Sequence, residues 1–247
     1  MLVAGAILMS AATARSAEGG ADPKAAAAGT PTTIVVGFVG GFVHHDDARH
    51  AEVQLVRKLR AAHKDYAHVE IFENRQLKKA HRNILKWLDS NHDGKLSDDE
   101  KQNARIIVFG HSWGGSATLA LARELERDKI PVLLTVQVDS ITRGDRNDQL
   151  IPANVARAVN FYQTRGLLHG RKKITAADPA HTEILGDFRF DYKKAPAECE
   201  SYPWYDRYFF KGHTSIECDP IVWSRIEALI STYLPAGGGR SFETALH

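Results

Sequence analysis

Between positions 105 and 128 the chain passes from a β-branched apolar run to a helical one through Gly110-His111-Ser112-Trp113-Gly114. Few folds accommodate that passage. Residues 105–109 (Arg-Ile-Ile-Val-Phe) have the continuous apolar character of a buried strand. Residues 116–128 are small and apolar first and charged towards the end, which predicts a helix. Strand, G-x-S-x-G and helix, in that order, is the context in which a tight turn lifts a serine hydroxyl above the end of a sheet. The two glycines have a steric reason. The serine's strained backbone brings strand and helix so close that side chains at 110 and 114 would collide. Three fixed residues alone occur by chance in roughly one chain in ten of this length. The flanking strand and helix are what make Ser112 a candidate nucleophile.

The rest of the chain repeats this alternation. Residues 32–39 predict a strand ending in Gly40-Gly41. Asp46 and Asp47 can cap a helix over 48–62 whose apolar side carries Val53, Leu55, Val56 and Leu59. A strand over 68–72, a helix over 75–88, strands over 130–138 and 155–162 and a closing helix over 221–230 follow. The central strands are apolar throughout rather than alternating. That predicts an α/β fold, a mostly parallel central sheet with helices on both faces. With 247 residues and 43% hydrophobic content, one domain over 32–247 can bury a sufficient core. Residues 167–211 have weak periodicity and yield no element.

The formal charge of +2 gives no support for a nucleic-acid partner. The basic groups Arg57, Lys58, Arg60 and Arg75, Lys78, Lys79 sit on predicted helices beside apolar positions, as solvated faces do. Residues 1–14 form an apolar run ending in small residues, and cleavage after Ala14 or Ala17 would suit a signal peptide over 1–17. The run is too short to span a membrane, and no basic residue precedes Arg15. The expectation is export, to the periplasm or outside the cell, with 18–31 as a flexible Ala- and Gly-rich lead-in. Two cysteines are present, Cys199 and Cys218. In an exported protein they could pair, closing a loop of about 20 residues worth ~3 kcal/mol. They could equally stay as thiols. The pair would bracket His213.

Gly110-His111-Ser112-Trp113-Gly114, its flanking elements and the alternating architecture resemble the α/β-hydrolase fold of lipases, esterases and thioesterases, over roughly residues 32–234. The resemblance implies a chain order of serine, acid, histidine. Beyond Ser112 stand His169, His181, His213 and His247. His213 follows Gly212 in a turn-like segment shortly before the closing helix, where the family places its base. Asp139 leads as the acid, because it ends a strand and its carboxylate would emerge at the same sheet edge as Ser112. A pancreatic-lipase-like subset uses this position, while most members carry the acid one strand later. Asp145 and Asp178 are the alternatives. The oxyanion donors implied are the N–H of Trp113 and that of Phe42 or Gly41, in the glycine-rich turn after the first strand.

The activity implied is that of an exported serine hydrolase cleaving carboxylic esters or thioesters, small or lipid-like, through an acyl-enzyme on Ser112. The other reading is a catalytically inactive calcium-binding module on the same scaffold. Residues 37–41 do not match the dinucleotide fingerprint, so a nicotinamide cofactor is not expected. In His44-His45-Asp46-Asp47 adjacent residues point apart, which favours capping over metal binding. The aromatic residues between Tyr202 and Phe210 would line an acyl pocket, form a lid or pack beneath a long loop.

Residues 89–100 fit the twelve-residue calcium loop of an EF-hand at every diagnostic position. Asp89, Asn91 and Asp93 offer side-chain oxygens, Lys95 a backbone carbonyl, Ser97 a direct or water-mediated contact, and Glu100 both carboxylate oxygens. Gly94 permits the sharp turn and Leu96 anchors the loop. No second loop exists to pair with it, so a sensor-like opening is not expected. The loop feeds the start of the elbow strand and Ser112 follows its end, ~20 Å away. Ca2+ is therefore expected to stabilise the fold without touching substrate.

Overall fold

The computed structural model describes residues 31–193, 197 and 199–234. The expected signal peptide, nearly all of the 18–31 lead-in and His247 lie outside the described residues. In chain order the elements are β1 (Thr32–Val39), α1 (Ala51–His63), β2 (Ala67–Glu73), α2 (Leu77–Leu88), α3 (Asp98–Gln102), β3 (Ala104–His111) and α4 (Trp113–Arg127). Then come β4 (Val132–Val138), β5 (Leu150–Ile151), β6 (Val155–Gln163), β7 (Thr175–Ala176), β8 (Glu183–Phe190), α5 (Trp204–Phe209), α6 (Lys211–Cys218) and α7 (Pro220–Tyr233).

Six strands form one sheet in the order β2-β1-β3-β4-β6-β8, and every pairing is parallel. The sheet is α/β with helices on both faces. Successive side chains of a strand point to opposite faces, and the core divides accordingly. Val35, Ile107 and Val136 join Val53, Val56 and Leu59 of α1 and Val222, Ile226 and Ile230 of α7 on one side. Ile34, Val36, Ile106 and Val108 join Ala80, Ile84 and Leu88 of α2 and Leu121 and Leu125 of α4 on the other. The strands are apolar throughout because both faces are covered.

Three expectations need correction, and one open question is resolved. Helix α1 begins at Ala51, and neither Asp46 nor Asp47 caps it; the N-cap is His50, without a side-chain cap bond. Asp47 binds Arg49 instead, and Asp46 binds His44. His213 lies in a helix, α6, not in a turn. Within 167–211 the chain forms β7, β8 and α5, and β8, the last strand of the sheet, has no fully buried residue. The two cysteines, left open by the sequence, are joined as Cys199–Cys218, with Cα atoms 5.6 Å apart.

The start of α7 shows how local chemistry fixes the end of the chain. Asp219 accepts the N–H of Ile221 at 2.8 Å, and Pro220 occupies the first helical position, where its missing N–H costs nothing. The hydroxyl of Tyr192 donates to the other oxygen of Asp219 at 2.8 Å.

Candidate active site

His111 and Val138 are register partners on β3 and β4. The chain leaves these neighbouring strands into Ser112 and Asp139, so the two residues emerge side by side at one sheet edge. Both have positive φ, 56° and 42°. Such backbone in a non-glycine residue is costly and held only by its surroundings. Here Ser112 N–H donates to Val138 O at 3.0 Å and Asp139 N–H to Phe161 O at 2.7 Å. The glycines of the elbow meet the steric demand read from the sequence. A Cβ on Gly110 would stand 2.5 Å from the Gly114 carbonyl, and one on Gly114 would stand 2.2 Å from the Phe38 oxygen.

His213, in the first turn of α6, places Nδ1 2.7 Å from Asp139 Oδ2. That carboxylate is wholly buried and also accepts from the Gln163 side chain (2.8 Å), the Gly170 N–H (2.7 Å) and the Gln163 N–H (3.3 Å). Burial raises its pKa, but the hydrogen bonds and charge of His213, with Gln163 and Gly170, outweigh burial and hold it below the ordinary 3.8. The His213 ring lies tilted against that of His111, centroids 4.4 Å apart, and His111 directly precedes Ser112. With Nδ1 engaged by Asp139, Nε2 is the nitrogen open to a hydroxyl. Among the described residues the Ser112 hydroxyl makes no hydrogen bond. Ser112 is buried, 8% exposed.

The alternative acids stand elsewhere. Asp178 pairs with His181 at 2.7 Å on the surface, and Asp145 is exposed on the loop after β4. His169 is confined to a contact with the neighbouring Gly170 carbonyl. Gln163 and Gly170, which orient Asp139, carry no recognisable sequence signal. At Gly170 a Cβ would lie 2.4 Å from the Asp139 carbonyl carbon, so only glycine brings its N–H to the carboxylate.

Trp113 is the first residue of α4, where N–H groups have no intrahelical acceptor. Its indole meets the Phe42 ring edge-on at 5.4 Å, and a Cβ on Gly40 would stand 3.0 Å from Ser112 Cβ. The turn bearing Gly41 and Phe42 is thus held beside the elbow. The Asn74 side chain fixes it by donating to Gly41 O at 2.6 Å and to Val39 O at 3.3 Å.

Behind His111 lies a group of ionisable residues that the sequence does not reveal. Glu52 of α1 and Glu217 of α6 are both buried. His50 Nδ1 hydrogen-bonds Glu217, while His111 Nδ1 stands 3.5 Å from Glu217 and 3.8 Å from Glu52. Burial, with the Glu217 charge adding to it, pushes Glu52 well above the usual carboxylate range. Burial lowers His111 to about 4. For His50 burial acts downward, but Glu217, Glu52 and Asp47 prevail and raise it to about 9. His44 and His45, expected to serve capping, instead approach Glu73 at 3.5 and 3.6 Å.

The 89–100 loop offers oxygen donors only, which suits Ca2+. Asp89 accepts from Asp93 N–H (3.2 Å) and Gly94 N–H (3.0 Å), and Asp93 accepts from Lys95 N–H (2.8 Å). Gly94 takes φ 79°. Glu100 accepts at one oxygen from Ser90 and at the other from Ser97, forming the capping box of α3. Those bonds hold its carboxyl down at about 2. Leu96 packs on the α2–α4 side of the core.

Of the aromatic run, packing accounts for Tyr202, which is buried against His50 at 5.3 Å. Trp204, Tyr208 and Phe209 of α5 are 67%, 75% and 64% exposed, directly before the helix that carries His213. Among the described residues no helix is long and apolar enough to cross a membrane.

No family model matches the chain, and no curated protein matches it. Among solved structures it is similar to RedJ, described with a PEG molecule bound in the active site, at 12% identity and a TM-score of 0.43. That similarity covers 91% of this chain and 95% of the other.

Proposed function

We propose that the chain is a serine hydrolase acting on carboxylic esters or thioesters through an acyl-enzyme. The observation that carries this reading is the His213–Asp139 hydrogen bond of 2.7 Å at the sheet edge where Ser112 is held at φ 56°. Ser112 Oγ attacks the substrate carbonyl carbon and passes its proton to His213 Nε2. The tetrahedral oxyanion sits against the N–H groups of Trp113 and of Phe42 or Gly41. As the C–O or C–S bond breaks, His213 returns the proton to the leaving oxygen or sulfur. Water then repeats the sequence on the acyl-enzyme and frees the acid. Asp139 fixes the tautomer and orientation of His213 and faces its charge when protonated.

Bound Ca2+ would be held by Asp89, Asn91, Asp93, the Lys95 carbonyl, Ser97 and Glu100, and would offset the charge of that acidic loop. It would tie the end of α2 to the start of β3, remote from Ser112. The exposed aromatic face of α5 and the exposed Phe42 favour an apolar acyl group, small or lipid-like, as substrate. The Cys199–Cys218 bond favours an oxidising compartment, in keeping with export.

The test is labelling with a fluorophosphonate probe followed by intact-mass and peptide analysis. One adduct per chain on Ser112 is expected, and a folded protein left unlabelled there overturns the proposal. A catalytically silent calcium module is favoured by one observation, the unbonded Ser112 hydroxyl. Active-site hydrogen bonds often tighten only with substrate bound. Turnover of short p-nitrophenyl esters, with and without a chelator, separates the two readings.

A further inference from the structure

We propose that Glu52, Glu217 and His50 form a binding site for one zinc-class divalent cation, with His111 beside them as a fourth donor, set behind the Ser112 elbow. One donor atom from each of His50, Glu52 and Glu217 lies within 4.8 Å of the others. His111 Nδ1 faces both carboxylates, 3.5 Å from Glu217 and 3.8 Å from Glu52. Both separations exceed the ~3.2 Å of a normal N–H···O bond. They approach instead the ~3.3 Å between donors that share one tetrahedral ion with metal–ligand distances near 2.0–2.1 Å.

The decisive residue is Glu52. It is 0% exposed, and neither carboxylate oxygen has a hydrogen-bond partner. Its own N–H and that of Gly40 are near but outside hydrogen-bonding geometry. An ionised carboxylate taken from water without partners costs several kcal/mol. A second buried carboxylate beside it, Glu217, increases that cost. A divalent cation would take the place of the proton on Glu52, balance both carboxylates and engage the unpartnered lone pairs of Glu52. Mixed imidazole and carboxylate donors in small number suit zinc, whereas Ca2+ asks for six to eight oxygens. His50, partly exposed and adjoining α1, gives the way in.

The site joins three segments: the start of α1 through His50 and Glu52, the end of β3 through His111, and α6 through Glu217. His111 precedes Ser112, and Glu217 lies one helical turn beyond His213. A cation there would brace the strand that carries the hydroxyl against the helix that carries the imidazole.

The experiment uses tag-free full-length protein, stripped with a chelator and then given Zn2+ alone. After desalting, metal content by plasma mass spectrometry and the melting temperature are read. About one zinc per chain and a higher melting temperature are expected. Glu52→Gln and His50→Gln should each weaken zinc binding at least about 100-fold. A His44→Ala/His45→Ala variant should bind as the parent does, because its residues belong to the separate Glu73 group. A folded parent that retains no zinc overturns the proposal. So does zinc retained equally by His50→Gln, or lost only in the His44→Ala/His45→Ala variant. If Glu52→Gln does not fold, His50→Gln decides, since it changes a residue at the edge of the cluster.

Discussion

His213 and Asp139, 74 positions apart in the chain, meet through a hydrogen bond of 2.7 Å inside a carboxylate that accepts three further bonds. The imidazole is therefore oriented by a group that is itself immobilised from two sides, by Gln163 at the end of β6 and by Gly170. Replacing the acid should affect turnover more than folding.

Asp139→Asn is expected to lower kcat by roughly 10^4-fold on an activated ester, since the tautomer needed at Nε2 is no longer enforced. Ser112→Ala should abolish turnover. Equal kcat in parent and Asp139→Asn, measured by steady-state kinetics, would remove Asp139 from the mechanism.

The same carboxylate predicts an acid-side loss of stability. Its folded pKa lies below the ordinary 3.8, so it stabilises the native state above about pH 4. That contribution fades as pH falls through the folded value. Denaturant unfolding at neutral pH and near pH 3 should show the stability difference between parent and Asp139→Asn shrinking in acid. A difference independent of pH would contradict the assignment.

Gly170→Ala should destabilise by about 3 kcal/mol or more, because the added methyl would stand 2.4 Å from the Asp139 backbone and cannot rotate away. Turnover should fall with it, as the N–H donor to Asp139 moves. Chemical denaturation and kcat on the same preparation check both effects. A stable, fully active variant would mean that this donor has no positioning role.

Removal of the Cys199–Cys218 bond, as the Cys199→Ala/Cys218→Ala variant, should cost ~3 kcal/mol on loop-closure grounds. The loop it closes contains α5 and most of α6. The drop in urea midpoint, with a steeper slope as the unfolded chain expands, measures it. No change in midpoint would place the constraint elsewhere.

Chelation of Ca2+ should lower the melting temperature while leaving turnover intact well below it. At free Ca2+ one hundred times Kd, the stabilisation is about 2.7 kcal/mol. Asp89→Asn and Glu100→Gln should reproduce the chelator. Loss of activity without loss of stability would put the ion in contact with the chemistry.

The central strands were legible in the sequence because burial on both faces leaves no polar alternation to confuse them, as in β1, β3 and β4. Strand β8 was not. It is half-buried along its length, carries Gly186 at φ 154° and meets β6 through a register irregularity. Ser112 and Asp139 could be read as strand ends, and His213 followed from chain order. Its helix was missed because α6 is short and follows α5 directly. Glu52 and Glu217 were invisible for a different reason. A glutamate on an amphipathic helix reads as solvated, and only tertiary contact between α1, β3 and α6 buries it. Gln163 and Gly170 likewise acquire their purpose only when the chain returns to Asp139.

Neighbouring strands of a sheet lie ~4.8 Å apart whatever else the protein does. Because Ser112 and Asp139 leave adjacent strands at paired positions, the sheet itself acts as a ruler for two of the three groups of the proposed site. The loops that follow can lengthen or change sequence without altering that interval. Delivery of the imidazole is the adjustable part, entrusted to a short helix pinned at its far end by sulfur. Variation in reactivity among chains built this way should therefore accumulate around that helix, while the strand ends stay still.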